Sequence, residues 1–251
     1  MGGPVILFDV GNSVIKVALW HHDCDAMTVR RYSSHEFNRS VISSLLEHAR
    51  GVVLSSVVPR ISSKISETVD QRCIPCVKID TKRCKEWGFL PGLYSGMGAD
   101  RIAHCIGLVE NGTLPAVCVD IGTAITVDRV ATGPRYDGGF IIPGPSLMAE
   151  ALSSGTALVN SSDITDVPFT LGRDTKSAVE TGCWWGAVVC VEGLLSRLER
   201  NSYPWNRLVI AGGWAARISC VITTPHESDP HHVFSGMRTV WEAYETGHYP
   251  G

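Results

Sequence analysis

The sequence predicts an α/β layered protein built from two related halves, and three observations lead there. Apolar runs rich in β-formers alternate with segments of helical periodicity, the pattern of strands and helices packed in layers. A stretch near the N-terminus returns 111 residues later in the same order of residue types. The length, 251 residues, accommodates two halves of about 120 residues each. With 22 Lys+Arg against 25 Asp+Glu, a net charge of −3 and 44% hydrophobic residues, the composition is that of a globular chain. No run of five basic residues occurs, so the electrostatic footprint of nucleic-acid or membrane-surface binding is missing. Small-molecule chemistry is the leading expectation.

The first element is the apolar run Pro4 to Phe8 ending on Asp9, followed by Gly11-Asn12-Ser13 and a second run, Val14 to Trp20. This reads as a β-hairpin with a tight turn. From Ser33 to Arg50 the period becomes helical, with Phe37, Val41, Ile42, Leu45, Leu46 and Ala49 on one face. Ser33 with Glu36 makes a capping box and Gly51 a stop. Residues 52–58 read as a strand, 61–69 as a helix and 76–80 as a strand. A Gly/Pro-rich loop spans Gly88 to Gly98, and a helix follows from about Asp100 to Glu110.

Pro115 to Asp120 is a new buried strand, and here the chain repeats itself. Residues 6–15 align without gaps on residues 117–126, each copy reading apolar strand, Asp, aliphatic, Gly, two small residues, apolar strand. Two buried hairpins resemble each other by chance often enough; an Asp at the same place in each is the part that chance does not supply. The repeat divides the chain into 1–113 and 114–251. The second half continues with a strand over Gly138 to Gly144 and a helix from Pro145 to Leu152 with Pro in its first turn. The longest helical pattern runs from Thr175 to Arg200. Its interior glycines 182, 186 and 193 cost about 1 kcal/mol each relative to Ala, which suggests close packing against another helix or a strand, the alternative being a core helix that simply tolerates glycine. Arg207 to Gly213 is the last clear strand.

No apolar stretch approaches the roughly 18 residues of a membrane helix, and Asp9 interrupts the N-terminal run too early for a signal peptide; a cytoplasmic protein is expected. The nine cysteines are odd in number and scattered, as reduced thiols are. Cys73-x-x-Cys76 has no second pair at zinc spacing and reads as two thiols at a strand start. His21-His22 and His231-His232 read as solvated loop residues.

Two acidic hairpins facing one another suggest a nucleotide cleft. A carboxylate at a strand end can hold hydrated Mg²⁺ while turn amides meet phosphate oxygens, and Lys16 adds a positive charge. Neither a Walker A motif nor a full G-x-G-x-x-G occurs. Gly98-Ala99-Asp100-Arg101 opens a helix after a glycine-rich loop, where an anion is favoured. Asp100 is there either a base for a substrate hydroxyl or a helix cap, and Arg101 either a clamp for an anionic group or a solvated side chain.

Asp9-Val10-Gly11-Asn12-Ser13-Val14-Ile15-Lys16, Ser55 to Pro59, Gly98-Ala99-Asp100-Arg101, Asp120-Ile121-Gly122-Thr123-Ala124, Gly138-Gly139 through Pro143-Gly144, and Gly172 through Thr175 with Gly182 stand in an order that resembles the type III pantothenate kinase family. The resemblance covers residues 5 to about 240. It implies duplicated ribonuclease-H-like domains of the acetate and sugar kinase, actin and chaperone ATPase superfamily, around an ATP cleft. It implies transfer of the ATP γ-phosphoryl group to a hydroxyl of pantothenate, the first step toward coenzyme A, in a cytoplasmic homodimer that needs Mg²⁺ and a monovalent cation, K⁺ or NH₄⁺.

Carried over by position, the resemblance implies that Asp9, Val10, Gly11, Asn12, Ser13, Val14, Ile15 and Lys16 form the first phosphate-binding hairpin, with Asp9 near Mg²⁺. Asp120 would bind the monovalent cation and Thr123 would contact ATP. Gly98, Ala99, Asp100 and Arg101 would line the pantothenate site with Asp100 as proton acceptor, and Thr175 would add a further contact. Tyr94 stands six residues before Asp100 where the family has a Tyr about nine before it, and Ala211-Gly212-Gly213 replaces the family's Thr-Gly-Gly. Two alternatives stay open: a non-catalytic relative of the same fold acting as an accessory transcription factor, and another kinase or phosphatase on this fold.

Overall fold

The computed structural model describes residues 2–155, 164–165 and 168–250. In chain order these form β1 (Val5–Val10), β2 (Val14–His21), β3 (Ala26–Ser33), α1 (Arg39–Leu45), β4 (Gly51–Ser56), α2 (Pro59–Gln71), β5 (Cys76–Lys78), α3 (Thr81–Glu86) and α4 (Ala99–Glu110). There follow β6 (Ala116–Ile121), β7 (Ala124–Ala131), β8 (Arg135–Pro143), α5 (Pro145–Gly155), α6 (Thr175–Arg200), β9 (Arg207–Ala211), α7 (Ala215–Ile218), β10 (Glu227–Ser228) and α8 (Val233–Thr246). They make two compact units. The first holds the chain up to Gly112, Gly133–Tyr136 and everything from His232 on; the second holds Thr113–Thr132 and Asp137–His231. The last helix thus packs with the first sheet, not with the residues that precede it.

The two five-stranded sheets are built alike, in the orders β3-β2-β1-β4-β5 and β10-β9-β6-β7-β8. In each, a central strand (β1 or β6) pairs antiparallel with the next strand and parallel with a later one. This shared topology is the ribonuclease-H-like arrangement, duplicated. The turns differ by one residue. Val10 pairs with Ile15 across Gly11 to Val14, whereas Ile121 pairs with Ile125 across Gly122 to Ala124, so the gapless alignment ends at the turn.

In the first unit Ile6, Phe8, Val10, Ile15, Val17, Val52 and Leu54 meet Ile42, Leu45, Ile61, Ile65 and Val69 on one face of the sheet. On the other lie α4 and α8, which also touch each other. They cross where glycines allow it: a Cβ on Gly236 would stand 1.9 Å from the Ala103 carbonyl oxygen and 2.9 Å from Gly107 N. In the second unit, Val179, Cys183, Trp184, Ala187, Val188, Val191 and Leu195 of α6 cover Val117, Val119, Ile121, Ile125 and Val127.

Several expectations shift. The helix predicted over 33–50 is confined to Arg39–Leu45, capped by Asn38, whose side chain accepts from the amides of Ser40 and Val41. The Ser33–Glu36 hydrogen bonds exist but close a turn ahead of that helix, and Gly51 opens β4. β3 and α3 add to the predicted elements. The glycines of α6 show no close packing among the described residues: none of these lies within 4 Å of a Cβ placed on 182, 186 or 193. Among the described residues α6 is the one helix long and apolar enough to span a membrane, with a mean hydropathy of 1.2 over its best window, yet its apolar stripe is the core just described. None of the nine cysteines forms a disulfide. His232 is buried rather than solvated.

Candidate active site

Within the first unit, β1 and β4 run parallel and end together, with Asp9 beside Ser55 and Val10 beside Ser56. Alternation turns Ile6, Phe8 and Val10 into the core and so turns Asp9 to the opposite face, where it is 9% exposed. Lys16 lies directly across the hairpin, its Nζ 3.8 Å from Asp9 Oδ2. The turn between them is held by the Gly11 amide donating to the Val14 carbonyl and by Ser34 Oγ donating to the Asn12 carbonyl. Asn12, Ser13 and Val14 are exposed, and Ile15 is core.

The chain leaving β4 brings α4 to the same end. The Val57 amide donates to the Val10 carbonyl, and a Cβ on Gly98 would lie 3.5 Å from Val57 Cγ1. That same Cβ would stand 2.5 Å from Asp100 Oδ1. Glycine at 98 is therefore what allows the Asp100 carboxylate its place. Asp100 Oδ1 accepts from the Arg101 amide at 2.8 Å, so the carboxylate serves the first turn of α4 while remaining partly open. Gly98 itself is the N-cap.

Arg101 is 5% exposed, not solvated. Its Nη1 donates to Tyr94 Oη at 2.6 Å and its Nη2 to Tyr136 Oη at 2.9 Å. The short loop therefore still delivers Tyr94 to Arg101. Sequence reasoning missed Tyr136, a single aromatic in a strand pattern. It also missed Ser55, fully buried beside Asp9 with no hydrogen-bond partner for its Oγ, and His104, one turn beyond Asp100 on α4 and buried. Burial, helped by His232 and Lys16, holds the His104 imidazole well below its usual range; the two rings lie 5.6 Å apart. Its place four residues after Asp100 on one helix is the signal that could have found it.

The second unit carries the other predicted residues. Asp120 ends β6 opposite Thr126, the position that Lys16 takes in the first hairpin. At Gly212, with φ +93, a Cβ would stand 2.4 Å from Asp120 Oδ1 and 2.5 Å from the Ile121 carbonyl oxygen. Thr123 is exposed in the turn, and its carbonyl accepts from the Gly144 amide at 2.9 Å; a Cβ on Gly144 would strike Gly122 O at 2.2 Å. Thr175 is the exposed first residue of α6, behind an Asp174–Ser177 capping box.

Catalytic-type residues at paired strand ends, repeated in two ribonuclease-H-like sheets, are the setting in which the comparisons with known proteins fall. The model of the family "Type III pantothenate kinase" matches residues 5–197. The chain belongs to the type III pantothenate kinase family. It is a kinase, and its substrate is pantothenate, on the route to coenzyme A. A type III pantothenate kinase of Brevibacillus brevis is 28% identical, covering 95% of this chain and 98% of its own. One from Koribacter versatilis is 31% identical, over 76% of this chain and 70% of its own. Among solved structures, a Campylobacter jejuni protein described as a Baf family transcriptional activator superposes with a TM-score of 0.60 at 19% identity, covering 96% of this chain and 99% of its own. An archaeal actin homologue gives 0.50 at 11%, covering 95% and 99%. At these identities the structures speak for the actin-like ATPase fold of the kinase alone.

Proposed function

We propose that this kinase moves the γ-phosphoryl group of ATP to a hydroxyl of pantothenate with Asp100 as proton acceptor. The hydroxyl oxygen forms the new P–O bond, the bond from Pγ to the β-phosphate oxygen breaks, ADP leaves, and the hydroxyl proton passes to the Asp100 carboxylate. Phosphoryl transfer depends mainly on positioning and charge neutralisation. The observation that carries this reading is the Asp100 carboxylate, placed by Gly98 at the end of the sheet that also bears Asp9 and Lys16.

Residues 9–16 are assigned to the phosphates, with Lys16 as the fixed cation and the turn amides as donors, and Thr123 to the nucleotide. Gly98 and Ala99 let the substrate approach the start of α4, Arg101 and Tyr94 are assigned to its carboxylate end, and Thr175 to a further substrate contact. A buried carboxylate beside a lysine fits Mg²⁺ bound with phosphate, so Asp9 is the residue assigned to hold it; the ion supplies charge neutralisation across the phosphates when bound. The Asp120 carboxylate and Ile121 carbonyl converge above Gly212 as a cradle that a Cβ would fill. Hard oxygens of that kind suit K⁺ or NH₄⁺.

A homodimer is supported by apolar side chains that the described residues of the second unit leave exposed: Val189 is 59% exposed on α6, the helix of Gly182, Gly186 and Gly193, with Ile141 and Leu152 also exposed. Nine cysteines without a disulfide suit the reducing cytoplasm. Pantothenate-dependent ADP release, assayed with and without K⁺ or NH₄⁺, tests the reading. Release is expected with the cation and should vanish in Asp100→Asn while ATP binding persists; normal turnover in that variant, or no release under either condition, would sink it.

A further inference from the structure

Arg101 is almost closed to solvent, yet the resemblance-based reading asks it to meet a carboxylate. The way its guanidinium is held resolves this. A guanidinium has donors and no acceptor, so the hydroxyl oxygens of Tyr94 and Tyr136, at 2.6 and 2.9 Å, both accept from it. The Tyr94 phenol retains an O–H donor of its own. The guanidinium carbon also lies 6.0 Å from the Tyr94 ring centre, and the two phenol rings are 6.1 Å apart. The tyrosines differ in one respect: Tyr94 is 46% exposed and Tyr136 only 5%.

Accepting a hydrogen bond from a cation polarises a phenol and strengthens it as a donor. An anion arriving from solvent therefore meets the Tyr94 hydroxyl first, with the arginine charge behind it. Tyr136 is fixed on the same loop that carries Tyr94. Its amide donates to the Pro91 carbonyl at 2.8 Å, and Gly92, at φ +95, lies so close that a Cβ would stand 2.5 Å from the Tyr136 carbonyl oxygen. Backbone and side chain of Tyr136 thus tie the loop and the guanidinium together.

We propose that Tyr136 is a positioning residue for the substrate's carboxylate end: it holds Arg101 so that the polarised Tyr94 hydroxyl is the group that donates to the carboxylate. This rests on the pantothenate kinase reading of the site. It goes further by naming a residue that acts from behind the site and by moving the direct contact from Arg101 to Tyr94.

The test is steady-state kinetics of the full chain for Tyr136→Phe, Tyr94→Phe and the double variant, with pantothenate and with the neutral analogue in which a hydroxymethyl group replaces the carboxylate. Tyr136→Phe is expected to raise the KM for pantothenate about 3- to 10-fold, the scale of one hydrogen bond, and to leave the KM for ATP and kcat within twofold. The preference for the acid over the neutral analogue should fall by the same factor. Tyr94→Phe should do at least as much, and the double variant no more than Tyr94→Phe alone. A melting temperature like the parent's shows that the fold is kept. An unchanged acid preference in Tyr136→Phe or in Tyr94→Phe, or equal rises in both KM values, would overturn the inference while the parent's activity stands. Absence of pantothenate-dependent ADP release in the parent would overturn the reading beneath it.

Discussion

Replacing Gly98 by Ala separates the fold of this kinase from its chemistry. The backbone there, φ −59 and ψ 140, is one that alanine adopts without strain. The added Cβ, however, would stand 2.5 Å from Asp100 Oδ1, and ordinary contact needs about 3.4 Å, so the carboxylate must move by roughly 1 Å. A side-chain end moves cheaply. The stability cost is then mostly the N-cap preference for Gly over Ala, at most about 1 kcal/mol, or about 2–4 °C in a chain of this size. A base misplaced by 1 Å is another matter: such displacements cost about 100-fold in rate, about 2.7 kcal/mol in the barrier. Gly98→Ala should therefore lower kcat about 100-fold, keep its calorimetric ATP affinity and melt within about 4 °C of the parent. A kcat within twofold of the parent's would refute the claim that Gly98 exists to place Asp100, and with it the role given to that carboxylate.

Gly212→Ala should abolish the proposed activation by K⁺ or NH₄⁺, because its Cβ would fill the space between Asp120 Oδ1 and the Ile121 carbonyl. The φ of +93 adds roughly 1–3 kcal/mol of strain, read as a lower melting temperature; intact cation activation would count against the site. The buried His104 titrates well below its usual range, so on acidification the unfolded chain takes up a proton that the folded one refuses. Its stabilising contribution is complete above about pH 6.5 and is lost below it at up to about 1.4 kcal/mol per pH unit. Melting temperatures of His104→Asn should fall less steeply between pH 6.5 and 5 than the parent's, and parallel curves would contradict the assignment. Val189→Arg puts a charge on the exposed face of α6 and should convert the proposed homodimer to monomer in sedimentation at micromolar concentration; a monomeric parent would remove the homodimer proposal, and a dimer unchanged by the substitution would place the interface elsewhere.

What the sequence made legible follows from where the physics is local. α6 was read over its full 26 residues because its apolar and small positions, from Ala178 and Val179 to Leu194 and Leu195, recur at helical spacing; the Asp174–Ser177 capping box that starts it was found in the structure. β3 escaped because it is solvent-facing for most of its length, so Ala26 to Ser33 shows no apolar alternation. The Ser33–Glu36 box misled because Asn38 caps the helix five residues later with two hydrogen bonds of its own. At the site, Asp9 and Asp120 were visible as acids ending apolar strands. The surroundings of Arg101 were not, since an arginine in a first helical turn reads as solvated and its partners Tyr94 and Tyr136 lie 7 and 35 positions away.

The repeat itself shows how a duplicated fold divides labour. Aligned without gaps, Lys16 falls on Val127, but strand pairing puts Lys16 opposite Asp9 and Thr126 opposite Asp120. The one-residue difference in the turns thus decides what each aspartate faces. A carboxylate with a lysine 3.8 Å away has a fixed cation beside it and suits a phosphate whose charge both share with Mg²⁺. A lysine opposite Asp120 would put an ammonium where the proposed alkali cation belongs and compete for the same oxygens. Threonine leaves that place to an exchangeable ion. Placing a lysine there, Thr126→Lys, should accordingly remove the proposed K⁺ dependence, and K⁺ dependence retained in that variant would show that Asp120 does not face the cation.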